Sequence, residues 1–156
     1  MTAPAAAPWS RIHATALVVG EVGVLVRGPS GAGKSALALA LIARAREAAM
    51  FAALIGDDRV LLRVCGGRLL ARGVAGFEGL IERRFEGVVA VAYEPQAVAR
   101  LVVDLAARGQ SAPRMPQESD RSEELLGVRL PRIALDPSQG PLDHAYAALE
   151  TLARLS

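Results

Sequence analysis

The sequence predicts an α/β fold, a mixed β-sheet flanked by helices, and three observations carry that expectation. First, Gly23-Val24-Leu25-Val26-Arg27 is a short β-branched apolar run of the kind found in a buried strand. Second, Gly28-Pro29-Ser30-Gly31-Ala32-Gly33 follows it at once and leads into residues 36–44, which are dense in strong helix formers. Third, further apolar runs of strand length recur along the chain, separated by Gly, Pro and Asp. A strand, a glycine-rich loop and a helix in direct succession are a unit of α/β architecture.

Taken in order, residues 1–9 form an Ala/Pro-rich leader expected to be disordered, and residues 10–156 one domain. Residues 13–19 and 23–26 predict a first hairpin turning at Gly20-Glu21. The helix after the glycine loop extends to about Met50, and residues 51–55 form an apolar strand that stops at Gly56-Asp57-Asp58. Residues 60–64 and 68–70 flank Cys65-Gly66-Gly67 as a second hairpin. Residues 88–92 and 101–105 are further strands, and residues 109–121, rich in Pro, Gln, Ser and charge, a loop. A final helix covers residues 143–155, after the breaker-rich segment 136–141.

Composition narrows the function classes. The chain has 156 residues, a net charge of +2 and no basic run interleaved with aromatics, so nucleic acid is not an expected partner. Its leader lacks a basic segment followed by a long apolar stretch, which argues against a signal peptide or a membrane anchor. With Cys65 as the single cysteine, no intramolecular disulfide can form, consistent with a cytoplasmic protein.

The segment Gly28-Pro29-Ser30-Gly31-Ala32-Gly33-Lys34-Ser35 satisfies G-x-x-x-x-G-K-S, and Lys34 is the only lysine in a chain whose other strong bases are all arginine. A lysine kept where arginine is used everywhere else marks a site needing a compact, rotatable ammonium. Glycines let successive N–H groups point at phosphate oxygens, and the helix N-terminus adds partial positive charge. Lys34 would reach the β- and γ-phosphates of a nucleotide, and the Ser35 hydroxyl would ligate Mg²⁺.

Carboxylates are needed for metal binding and proton transfer. Asp57-Asp58 closes an apolar strand on the same sheet edge as the loop, so one acid could hold Mg²⁺ while the other takes a proton. Asp104, in Leu101-Val102-Val103-Asp104-Leu105, has the apolar-run-then-acid form of a Walker B strand and competes for the metal role. Local pattern does not choose between them. Glu82 and Arg84 could equally form a surface ion pair.

The succession of His13, the glycine loop, Gly56-Asp57-Asp58-Arg59-Val60 and Leu80-Ile81-Glu82-Arg83-Arg84 resembles the catalytic domain of HPr kinase/phosphorylase, from about residue 10 to the C-terminus. That bacterial enzyme phosphorylates a serine of the phosphocarrier protein HPr. The resemblance implies a core like that of phosphoenolpyruvate carboxykinase, ATP and Mg²⁺ as cofactors, an HPr-like protein as partner and a homo-oligomer, a hexamer in the family. It gives His13 the place of the active-site histidine and Asp57 that of the acid/base. Ser35 and Glu82 fall at magnesium positions, with Asp58 a further candidate ligand, and Arg114 looks like the arginine near the transferred phosphate. Asp104 then becomes a core-strand residue.

The chain also departs from the family. It resembles a truncated form with the catalytic domain alone. After Glu82 the family continues with valine, arginine and a Gly-Leu-Gly turn, where this chain has Arg83-Arg84-Phe85-Glu86-Gly87. Near the C-terminus a Pro/Arg/Gly/Asn loop linked to dephosphorylation is replaced by Asp136-Pro137-Ser138-Gln139-Gly140-Pro141, which has neither arginine nor asparagine. The expected activity is therefore an HPr serine kinase with weak or absent phosphorylase activity. Two alternatives remain: a small-molecule P-loop kinase or NTPase using Asp104 as its metal acid, and an ATP-sensing module without efficient transfer.

Overall fold

A computed structural model describes residues 7–106, 117–136 and 138–155. Its elements in chain order are β1 (Ser10–His13), β2 (Thr15–Val19), β3 (Val22–Arg27), α1 (Lys34–Glu47), β4 (Ala52–Gly56), β5 (Arg59–Cys65) and β6 (Arg68–Gly73). They are followed by β7 (Leu80–Arg83), β8 (Gly87–Ala90), β9 (Gln96–Leu105), β10 (Ser122–Leu125), β11 (Val128–Leu135) and α2 (Pro141–Leu155). The fold is α/β with a mixed, curled sheet, as expected.

The sheet runs β1-β5-β6-β9-β3-β2-β4, with β11 and β10 branching from β9. The long strand β9 makes this branching possible. Along one edge it pairs with β3 in parallel, from Gly23↔Ala99 to Arg27↔Asp104. Along the other it holds β6 antiparallel at residues 96–98 and then β11 parallel at residues 102–105.

Strands buried on both faces are apolar throughout rather than alternating, and β2 and β4 show it: every residue of each is buried. One face of the sheet carries Leu17, Val24, Val26, Leu54, Leu101 and Val103, packed under α1 and α2 through Leu37, Leu41, Ala145, Ala148 and Leu152. The opposite face carries Ala16, Val18, Leu25, Ile55 and Val102, closed by Val60, Leu62, Leu69 and Leu130 from β5, β6 and β11. Both helices thus lie on one side, and the sheet's own curl covers the other. At the rim, the Trp9 ring is sandwiched between Arg63 and Arg72, whose guanidinium carbons lie 4.4 and 4.2 Å from its centre. These contacts fasten the segment before β1 to the β5–β6 ribbon.

Several sequence expectations need adjustment. His13 does not open the first hairpin but ends β1, which pairs with β5 in the register His13↔Arg59. The hairpin proper is β2–β3, with Thr15↔Val26 and Val19↔Val22. The strand around residues 88–92 is β8, which among the described residues pairs with β7 alone, in a separate two-stranded sheet. The hairpin β10–β11 was not anticipated, because residues 122–125, Ser-Glu-Glu-Leu, are too polar to read as a strand. Of the loop at residues 109–121, only residues 117–121 lie within the described part, with a 3-10 turn at Glu118–Arg121.

Candidate active site

The carboxyl ends of β3 and β4 and the amino end of β2 meet at one end of the sheet, since β2 is antiparallel to both neighbours. β3 leads into the glycine loop, β4 ends at Asp57-Asp58, and β2 places Thr15 between them. The loop's backbone requires its glycines. A Cβ on Gly28 would lie 2.8 Å from the Leu105 carbonyl oxygen, and Gly33, capping α1, has φ 101°, which side-chain-bearing residues rarely adopt.

An open cleft of about 1090 Å³ lies over this junction. It is lined by residues 29–36 of the loop and first helical turn, by Thr15, Asp57 and Asp58, and by Glu82, Arg83 and Arg84 of the β7–β8 hairpin. Asp57 links the parts of its wall. Its Oδ1 accepts the Ser35 hydroxyl at 2.7 Å and the Thr15 hydroxyl at 2.8 Å, and its Oδ2 accepts the Glu82 backbone N–H at 3.0 Å. One carboxylate thereby joins the loop, β2 and the hairpin.

Lys34 is buried and donates from Nζ to the carbonyl oxygens of Gly28 at 2.8 Å and Pro29 at 3.2 Å. Burial pushes its ammonium below the ordinary lysine value, while the charges of Asp58 and Asp57 push it back up. Asp58 takes a left-handed backbone, φ 65°, a conformation that Asp tolerates better than most residues. Its carboxylate meets His13, whose Nε2 lies 2.7 Å from Asp58 Oδ1. The structure therefore brings His13, Lys34, Ser35, Asp57, Asp58 and Glu82 together at this end of the sheet. Arg114 lies outside the described residues.

The sequence reading missed Thr15. Among the described residues it is the one buried hydroxyl, at 0% exposure, and besides donating to Asp57 it accepts the Asp58 backbone N–H at 3.4 Å. The available signal was a lone threonine in phase with Leu17 and Val19, the residues of β2 that face the helices. Thr15→Val keeps the shape and removes the hydrogen bond to a charged acceptor, worth about 1.5–3 kcal/mol. Any phosphoryl transfer that uses Asp57 should fall about 10-fold or more with nucleotide affinity little changed, and Thr15→Ser should recover it. Equal rates for all three proteins would show that the hydroxyl does not position Asp57.

Asp104, the rival metal acid, is otherwise engaged. Strand alternation puts it on the face opposite α1, beside Val102 and Leu25 rather than Val103. Its Oδ1 accepts Arg27 Nε and its Oδ2 accepts Arg27 Nη2, each at 2.8 Å, and Arg132 Nε also binds Oδ2. Burial pushes the Asp104 carboxyl up, but the hydrogen bonds and charges of Arg27 and Arg132 outweigh it and hold the group below the ordinary carboxylate value. Nor do Glu82 and Arg84 form the surface pair considered from sequence; Arg83 pairs with Glu86 instead, at 3.7 Å.

Among the described residues no three His, Cys, Asp or Glu side chains cluster as a metal cage. The side chains lining the cleft that could ligate a cation are oxygen donors: Ser35, the carboxylates of Asp57 and Asp58 and, on the rim, the exposed Glu82. Such a set suits Mg²⁺, which keeps several waters and takes one or two carboxylates plus phosphate oxygens.

Known proteins share parts of this sequence and its fold. The HPr kinase/phosphorylase of Clostridium beijerinckii is 35% identical over 85 residues, covering 54% of this chain and 26% of that protein. That of Clostridium tetani is 34% identical over 85 residues, with the same shares covered. The matched segment thus spans about a quarter of the length of these curated relatives. The solved structure of the HPr(Ser) kinase/phosphatase from Coxiella burnetii superposes with a TM-score of 0.75 at 25% identity, covering 94% of this chain and 98% of that one. A sequence model of the HPr Serine kinase C-terminal domain matches residues 5–142, a stretch that includes the glycine loop, the Asp57-Asp58 turn and the β7–β8 hairpin, and the chain belongs to that family.

Proposed function

We propose that this protein is an ATP-dependent serine kinase acting on an HPr-like phosphocarrier protein, with phosphorolysis weak or absent. The observation that carries the reading is the 2.7 Å contact between Ser35 of the loop and Asp57, in a cleft that also holds Lys34. Residues for phosphate binding and for proton transfer therefore adjoin. The curated relatives are named HPr kinase/phosphorylase, which supports the choice of acceptor.

In this mechanism the acceptor serine hydroxyl gives its proton to Asp57 as its oxygen attacks the γ-phosphorus of ATP, and the bond to the β,γ-bridging oxygen breaks to release ADP. Lys34 gives up its carbonyl partners on Gly28 and Pro29 to neutralise phosphate oxygens. Ser35 and Glu82 would hold Mg²⁺, which when bound neutralises charge on the β- and γ-phosphates. Asp58 fixes the ring of His13 at the cleft's edge. Weak phosphorolysis is supported by the segment 136–141, which has no basic side chain to hold inorganic phosphate.

The test is incubation of the protein with Mg²⁺, γ-labelled ATP and HPr from the same organism, the label being located by mass spectrometry. Label on one HPr serine is expected. Tight ATP binding with no labelled acceptor would refute the kinase reading, and release of phosphate from phospho-HPr at a rate matching the forward reaction would refute the lost phosphorolysis.

A further inference from the structure

The β7–β8 hairpin forms one wall of the cleft and ends in an unusual tip. Ile81 and Val89, opposite each other in register, face inward, with Ile81 buried in the core under α1 and Val89 packed against it. The Glu82 backbone N–H is bonded to Asp57. The hairpin is therefore anchored both to the core and to the proposed catalytic base. Its tip, Arg84-Phe85-Glu86, projects beyond these anchors. Phe85 is 97% exposed and has φ 69°, a left-handed backbone that costs a bulky side chain and would cost glycine nothing. Val88, on the outward side opposite Glu82, is 67% exposed. Arg84, which lines the cleft, stands over the Phe85 ring with its guanidinium carbon 5.3 Å from the centre.

Phe85 buries almost none of its surface against the rest of the chain, and it is held in a strained backbone on the wall of the cleft beside a second exposed apolar residue, Val88. We infer that the β7–β8 tip is a docking contact for the protein that carries the acceptor serine, with Phe85 entering an apolar patch on that protein and Arg84 meeting a carboxylate beside it. This rests on the kinase reading above. Position selects the occupant: Arg83 and Arg84 line the same cleft as Asp57, so a folded protein whose serine reaches Asp57 must cover this wall. Aromatic side chains and arginine are both enriched at the cores of protein interfaces.

Phe85→Gly removes the ring and relieves the backbone, so the variant should unfold at the same temperature as the parent or higher. In steady-state transfer from ATP to HPr, its KM for HPr should rise about 10-fold, with kcat and the KM for ATP within about twofold of the parent, and Phe85→Trp should stay near the parent in all three. An unchanged KM for HPr while the parent transfers normally would overturn the docking inference alone. A raised KM for ATP would also overturn it, by assigning the ring to the nucleotide. Failure of the parent itself to phosphorylate HPr would overturn it together with the kinase reading.

Discussion

Asp57→Asn should lower phosphoryl transfer by about 10²–10⁴-fold, the usual share of a positioned general base, while nucleotide affinity should stay close to that of the parent. The substitution keeps the side chain's size and one acceptor oxygen but removes the basic site. It also presents an amide N–H₂, which cannot accept from the Glu82 N–H if the remaining oxygen stays with Ser35 and Thr15. The loop residues proposed to bind phosphate do not depend on that carboxylate for their backbone, because Lys34 is held by the carbonyls of Gly28 and Pro29. Single-turnover transfer measured beside binding of a fluorescent ATP analogue separates the two effects. Retained transfer, or loss of nucleotide binding in equal measure, would mean that Asp57 is not the base.

Much of this site is legible in the sequence, because a phosphate loop is contiguous and its context, a β-branched run before and helix formers after, is local. The juxtaposition of Asp57 with Ser35 is also legible once β3 and β4 are read as parallel strands ending on one side. Thr15 is not, since its role depends on β2 lying between those strands, and strand order is set by packing that no local window contains. The same holds for Asp104. An acid closing an apolar strand looks like a metal ligand until the β3–β9 register puts Arg27 directly opposite. The exposed hairpin β7–β8 was partly misread for a related reason: outside the sheet its strand character comes from pairing with itself, and polar Glu82 and Arg83 mask the signal.

The second large effect is on stability. Asp104→Ala should cost about 2–4 kcal/mol, because it strands Arg27 and Arg132, whose side chains are only 26% and 23% exposed. The loss stays below that of a fully buried pair, since water reaches both arginines and Glu123 still accepts from Arg27 at 2.7 Å. Yet the carboxylate joins β3, β9 and β11 directly, and through Arg27 and Arg132 it reaches β10 and the Asp120 carbonyl. Acid should reveal the same dependence. Because the folded carboxyl lies below its ordinary value, its contribution is complete above that value, about pH 4, and fades as pH falls toward the lower folded value. Urea unfolding from pH 7 to pH 2.5 should therefore show the parent and Asp104→Ala far apart near neutrality and converging below about pH 4. Parallel curves to the lowest pH would remove the ion cluster as the cause. Loss of transfer in a folded Asp104→Ala protein would return this residue to the metal role its strand first suggested, whereas preserved transfer in a less stable protein is the result its two arginines predict.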